Sequence, residues 1–322
     1  NSFCTLLGAM RSLLPLFAGL VGVLAVVAFA VPDENNLVVA AVQLKPATGA
    51  SPHAAGVACG EQVASIVTSL LAHDDSVVAR AAEGMVENHT RVDLVVFPEY
   101  GMLGNFSTDQ CGGSSPMNQG CVEVPAVGSE VDCATESPLA AIACGPQAHS
   151  FSDVAVSVNL CERCEGSRSA DGPCAVSKAQ HPAPAWKPAN VSFFNTQVVL
   201  RGRTVVQTYR KTHPWSTDCF DTPVVDYRTF NVSGVRFGLF TCFDIAFPQP
   251  ADGLLAEGVR AFSYSSAIPL IARTAVKVFS ELHHATMVNA NLQPGQTSVI
   301  RNGTVVADCG AVAGTCAAIA SV

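Results

Sequence analysis

The chain has 322 residues, 49% of them hydrophobic and 14% charged, with a formal net charge of −8. That composition excludes a disordered chain, and the length suffices for one large domain or two modest ones with a proper core. The negative balance gives no electrostatic footing for nucleic acid or for an anionic membrane surface.

Arg11 precedes an apolar run over residues 13–29, which ends in Ala28, Phe29 and Ala30 before a polar PDENN at 32–36. A basic flank, an apolar segment and an A-x-A site describe a secretory signal peptide over residues 10–30, cleaved after Ala30. Met10 stands where an initiator belongs, so residues 1–9 read as an upstream extension or a gene-model artefact. The competing reading is an uncleaved membrane anchor, because the run is nearly long enough to span. Sequons at Asn88, Asn105, Asn190, Asn231 and Asn302, with thirteen cysteines, agree with export into an oxidising compartment. The expectation is a secreted or lumenal chain with no membrane span once mature.

Residues 37–44 read as a buried first strand, a near-continuous apolar run of the parallel-sheet kind. Residues 61–86 carry helical periodicity through Val63, Ile66, Val67, Leu70, Leu71, Val77 and Val78. A strand ending at Glu99 follows, then an irregular stretch over 101–137, too long for an ordinary connection. A third strand is expected over 153–159 and a second Cys/Pro/Gly-rich excursion over 161–188. Residues 193–200 and 204–209 form a hairpin that delivers Lys211. After the strand that ends at Cys242 come a helix over 248–257, a strand over 259–264 and a helix over 271–287. Two short strands, 297–301 and 304–307, turn about Asn302 and Gly303. Alternating strands and helices argue an α/β class.

Three of these strands each run into a reactive side chain: VDLVVFPE at 92–99, TVVQTYRK at 204–211 and VRFGLFTC at 235–242. In α/β sheets the carboxyl ends of strands are where ligands bind. A thiol is a competent nucleophile near neutral pH only if a base or a cation helps it lose its proton. Glu99 would take that proton and return it to the leaving amine. Lys211 and the backbone N–H of Phe243 would stabilise the tetrahedral oxyanion, with Cys242 as the nucleophile. Pro98 lacks an N–H and ends strand pairing just before Glu99. Singly, each residue has a plain reading: a solvated carboxylate, a surface lysine, a disulfide or buried cysteine. Together, in this order, they make a kit for acyl transfer.

FPEYG at 97–101, YRKTH at 209–213 and FGLFTCFDI at 237–245 resemble the three motifs of the nitrilase superfamily. The continuation AFPQPA at 246–251, with NTQV at 195–198 and FNVS at 230–233, is closest to its vanin and biotinidase branch. The similarity covers most of residues 37–265. It implies a single-domain, four-layer α-β-β-α sandwich over residues 31–322, without the C-terminal domain of the vanins. It also implies cysteine-dependent hydrolysis of a small linear amide, pantetheine-like or biotin-amide-like, with no metal or organic cofactor. Tyr100, His213, Tyr264 and Ile268 are the residues expected to line the substrate pocket. The family commonly has a Trp in the stretch that here reads YSSAIPL at 264–270. Its absence implies a wider, less aromatic acyl side with a raised KM and relaxed selectivity. Cys133 and Cys144 flank a helix start where the family has a comparable pair.

Cys161 and Cys164, with Cys174 further on, are read as disulfide cysteines rather than a zinc site, since no second pair stands at finger spacing. His283 and His284 point to different faces of their helix and make no metal site. Two rivals to the hydrolase remain: a glycosylated interaction protein on the same scaffold, and an acyltransferase that an added amine acceptor would reveal. Oligomeric state is not legible.

Overall fold

Two features of the sequence, short β-branched runs and Gly/Asn turns, place twelve strands in two sheets in a computed structural model. It describes residues 37–49, 51–72, 92–102, 120–145, 151–169, 171–177, 190–312 and 314–322. The leader at 10–30, Asn88 and Asn105 lie outside them.

The first sheet holds β1 (Val38–Gln43), β2 (Leu94–Val96), β3 (Ala155–Glu165), β4 (Val191–Arg201), β5 (Thr204–Arg210) and β12 (Cys316–Ser321), in the order β12-β1-β2-β3-β4-β5. β1, β2 and β3 are parallel, and the strands at both flanks pair antiparallel. The second holds β6 (Thr229–Val232), β7 (Val235–Thr241), β8 (Ala261–Ser266), β9 (Thr286–Asn291), β10 (Ser298–Arg301) and β11 (Thr304–Asp308), in the order β11-β10-β9-β8-β7-β6. Here β7, β8 and β9 are the parallel centre.

Side chains alternate across each strand, so every residue of β1 is buried, but on two different faces. Val39 and Ala41 join Leu94, Val96, Phe240 and Tyr264 in the core between the sheets. Val38, Ala40 and Val42 pack outward under α1 (Pro52–Leu71) and α2 (Pro138–Cys144). α3 (Ala251–Ala256) and α4 (Ala272–His283) cover the far face of the second sheet through Leu254, Val276 and Phe279. The result is the four-layer α-β-β-α sandwich.

Ser51 caps α1 by accepting from the Ala54 N–H, and Pro52 occupies the first turn, where its missing donor costs nothing. By length and apolarity α1 passes the test for a membrane span, yet Val63, Val67 and Leu70 are buried in the core beneath it. Each such side chain contributes about 1.5–3 kcal/mol. Gly60 lets α2 approach, since a Cβ there would stand 2.4 Å from the Pro138 carbonyl oxygen.

Several expected bounds are corrected. α1 begins at Pro52, not residue 61, and the second half of that expected helix lies outside the described residues. β3 runs on to Glu165, because Cys161–Glu165 pair with Val191–Asn195 of β4. The helix expected over 271–287 stops at His283, where His284 takes φ 50°, and Thr286–Asn291 is a central strand. Residues 316–321, read as no element, are the edge strand beside β1.

Disulfides join Cys121 to Cys161, Cys133 to Cys144, Cys164 to Cys174 and Cys309 to Cys316. Cys219 is also disulfide-bonded. A sulfur held in a disulfide is not a zinc ligand, so the Cys161/Cys164/Cys174 group is covalent framework.

Candidate active site

β2, β5 and β7 end on the same side of the sandwich, and the residues that follow them meet there. Phe97 makes its last ladder bond to Ser157, Pro98 interrupts the pairing, and Glu99 turns inward. Lys211 follows β5 directly, its N–H held by the Asn195 carbonyl at 2.8 Å. Cys242 follows β7 at φ 51°, a left-handed conformation uncommon for a residue with a Cβ. It opens a single turn of 3-10 helix, Cys242–Ala246. Tyr100 is likewise left-handed, at φ 59°. Backbone strain of this kind clusters at functional sites.

Glu99 and Lys211 form a buried ion pair, with Lys211 Nζ donating to Glu99 Oε1 at 2.5 Å. The same oxygen accepts from Asn195 Nδ2 at 2.8 Å. Asn195 is in turn held by Asn159 Nδ2 at 2.7 Å, and Asn159 Oδ1 accepts the Tyr100 N–H at 2.8 Å. A row of amides across β3 and β4 therefore fixes the carboxylate by Oε1. The Cys242 thiol sits within the fields of the Glu99 and Lys211 side chains, which act on it with opposite signs.

Burial pushes the Cys242 thiol up, the Glu99 charge pushes it further, and Lys211 opposes both without reversing them. Burial alone would lower Lys211, but the facing Cys242 and Glu99 outweigh it and hold the ammonium above the ordinary lysine range. A cation at this position stays a cation through the physiological range. Among the cysteines around it that are oxidised, Cys242 is a free thiol, and 7% of its surface is exposed.

Asp244 is fully buried two residues on and accepts four donors. Its Oδ2 takes the Tyr209 hydroxyl at 2.7 Å and the Thr241 N–H at 3.0 Å. Its Oδ1 takes the His213 N–H at 2.8 Å and lies 3.1 Å from His213 Nδ1.

The residues expected to line the pocket divide. Tyr100 is half-buried next to Glu99 and stacks on Phe220 at 6.0 Å between centroids. Burial and the Glu99 charge raise its phenol well above the ordinary range. His213 is half-buried and stacks on Phe247 at 3.9 Å. Ile268 is half-buried on the turn after β8, its carbonyl held by Asn291 Nδ2 at 3.2 Å. Tyr264 is a correction. Its ring lies in the inter-sheet core against Phe240, and its hydroxyl donates to the Cys242 carbonyl at 2.6 Å. It braces the Cys242 backbone through that bond.

Aromatic rings do gather around the residue after Cys242. Phe243, next to Cys242, stands edge-on to Trp215 at 5.1 Å and to Phe247 at 5.1 Å. Trp215 is 59% exposed, a large ring left facing solvent.

Residues 38–293 match the carbon-nitrogen hydrolase family. The chain belongs to that family. It is similar to Vanin-like protein 1 of Drosophila melanogaster, at 28% identity over 230 residues, 69% of this chain and 38% of the relative. It is 37% identical to the biotinidase of Rattus norvegicus over 108 residues, 31% of this chain and 21% of that protein. The matches thus span well under half the length of these curated relatives. Among solved structures, an amidase of Nesterenkonia AN1 from the nitrilase superfamily superposes with a TM-score of 0.57 at 12% identity, over 90% of this chain and 92% of that one. Saccharomyces cerevisiae Nit3, of the same superfamily, gives 0.57 at 16% identity, over 88% and 90%. At those identities the likeness is one of fold: the sandwich is that of the nitrilase superfamily.

Proposed function

We propose that this chain is a hydrolase of carbon–nitrogen bonds in small linear amides, working through a thioester on Cys242. One observation carries the reading: a free buried thiol that feels the charges of a buried carboxylate and of the buried ammonium paired with it. Glu99 takes the thiol proton as sulfur attacks the amide carbon, forming the C–S bond. The oxyanion is stabilised by Lys211 Nζ and the Phe243 N–H. The C–N bond then breaks, and Glu99 protonates the departing amine. Water attacks the thioester, giving its proton to Glu99, and the thiol is restored as the acid leaves.

In one structure of the Nesterenkonia amidase the acetamide moiety of fluoroacetamide is added covalently at the active-site cysteine. That supports the same role for Cys242. Pantetheine-like amides come first as substrates and biotin amides second, on the similarity to the vanin-like and biotinidase relatives. The rival reading, an inactive glycoprotein scaffold, is disfavoured by a site that holds a free thiol, not a disulfide. The test is turnover of a panel of pantetheine, biotinyl-lysine and simple acyl amides by the purified chain. Release of amine from one of them supports the reading, and none from any would defeat it.

Trp215, Phe243 and Phe247 would carry the apolar part of the substrate, with Tyr100, His213 and Ile268 beside them. Aromatic contacts of this kind contribute about 0.5–1.5 kcal/mol, so Trp215→Ala should raise KM roughly two- to tenfold and leave kcat nearly unchanged. Steady-state kinetics check it, and an unchanged KM would remove Trp215 from the binding surface.

The domain reading is a cleaved leader over 10–30 followed by the hydrolase domain. Asn190, Asn231 and Asn302 are exposed, as glycan acceptors must be. The secreted product should begin at Val31 and lose mass on glycosidase treatment. An N-terminus that retains residues 13–29 would make it a membrane-anchored protein instead.

A further inference from the structure

Asp244 is a buried carboxylate whose four donors come from both reactive arms of the site. We infer that Asp244 is a positioning residue that sets the spacing between Lys211 and Cys242. The inference rests on the hydrolase reading and names a residue beyond the Glu99, Lys211 and Cys242 set.

The plain explanation of Asp244 is a capping box for the 3-10 turn, in which its side chain accepts the Thr241 N–H. That accounts for one donor in four. The other three, the Tyr209 hydroxyl and the two nitrogens of His213, flank Lys211 by two residues on either side. Thr241 and Asp244 themselves flank Cys242. A single carboxylate therefore ties the strand that carries the ammonium, in the first sheet, to the turn that carries the thiol, in the second. Tyr209 is fixed further by Thr212, whose hydroxyl and N–H lie 3.0 and 3.1 Å from its phenol oxygen.

A cap would serve as well with a neutral Asn or Ser, which would avoid burying a charge. A carboxylate offers lone pairs for four donors at once, and an amide does not. Burial and then the Asp244 charge hold the Tyr209 phenol well above its ordinary range, so it stays a donor. The fixed quantity is geometric: an oxyanion on the carbon bound to sulfur must reach Lys211 Nζ. A misplacement of about 1 Å in such a site costs up to roughly a hundredfold in rate.

The test uses the full chain with Asp244→Asn and Tyr209→Phe. Three quantities are read: kcat and KM on the amide that the wild type turns over, and the rate at which iodoacetamide alkylates Cys242, followed by intact mass. Asp244→Asn keeps size but sets an NH2 group against donors of one arm, and kcat should fall roughly 30-fold or more with KM within threefold. Alkylation needs no oxyanion, so its rate should stay within about threefold of wild type. Tyr209→Phe removes one donor and should lower kcat roughly fivefold.

A general loosening would instead open the buried thiol and speed alkylation, and that result would overturn the inference. So would a wild-type kcat in Asp244→Asn or, where that variant does not fold, in Tyr209→Phe. A wild-type chain whose thiol is alkylated but which hydrolyses no amide would sink the hydrolase reading, and this inference with it.

Discussion

Cys242→Ala should abolish amide hydrolysis while leaving the fold intact. Among the described residues no other nucleophile is bonded to Glu99, so the covalent route closes, and losses on the order of 10⁶ in kcat are the scale for removing a nucleophile that acts as part of a unit. Stability should change by only about 1 kcal/mol, since the substitution removes one sulfur atom from a buried position. Steady-state rates and thermal melts check both halves. Residual turnover above the level of a buffer control would place the chemistry elsewhere.

Glu99→Gln should lose both activity and stability, and the contrast with Cys242→Ala is the informative part. Glutamine keeps the shape and can still accept from Asn195, but it takes no proton from the thiol. Removing a positioned general base costs roughly 10²–10⁴ in rate. It also leaves the Lys211 ammonium buried without its counter-charge, and breaking a buried pair from one side costs about 3–5 kcal/mol. For a domain of this size that corresponds to a drop of roughly 10 °C in Tm. Equal melting temperatures for wild type and Glu99→Gln would mean that the ion pair is not buried as described.

Much of the site was legible because its three reactive residues sit where strands end, and apolar β-branched runs announce strand ends. The residues that hold them were not. Asn159 and Asn195 lie within strands, where a buried amide looks like a break in an apolar pattern until its partners across the sheet are known. The same disguise hid β9: in Thr286–Asn291 the polar Asn289 and Asn291 are buried and bonded to Ser298 and Ser266, so the run did not read as a central strand. The charged end of β3 misled for a related reason, because Glu162 is buried against Arg210 and Thr196 in the next strands. Tyr264 was placed correctly on a strand, but its ring is buried in the core between the sheets. Which face a strand residue takes follows from register, and a one-residue step reverses it.

The most direct test is acid-quenched mass spectrometry of the wild-type chain during turnover of an amide that it accepts. The account predicts one acyl group on the peptide that contains Cys242, released as free acid on return to neutral pH and absent from Cys242→Ala. Steady turnover with no acyl group on Cys242, or with the acyl group on another residue, would contradict it.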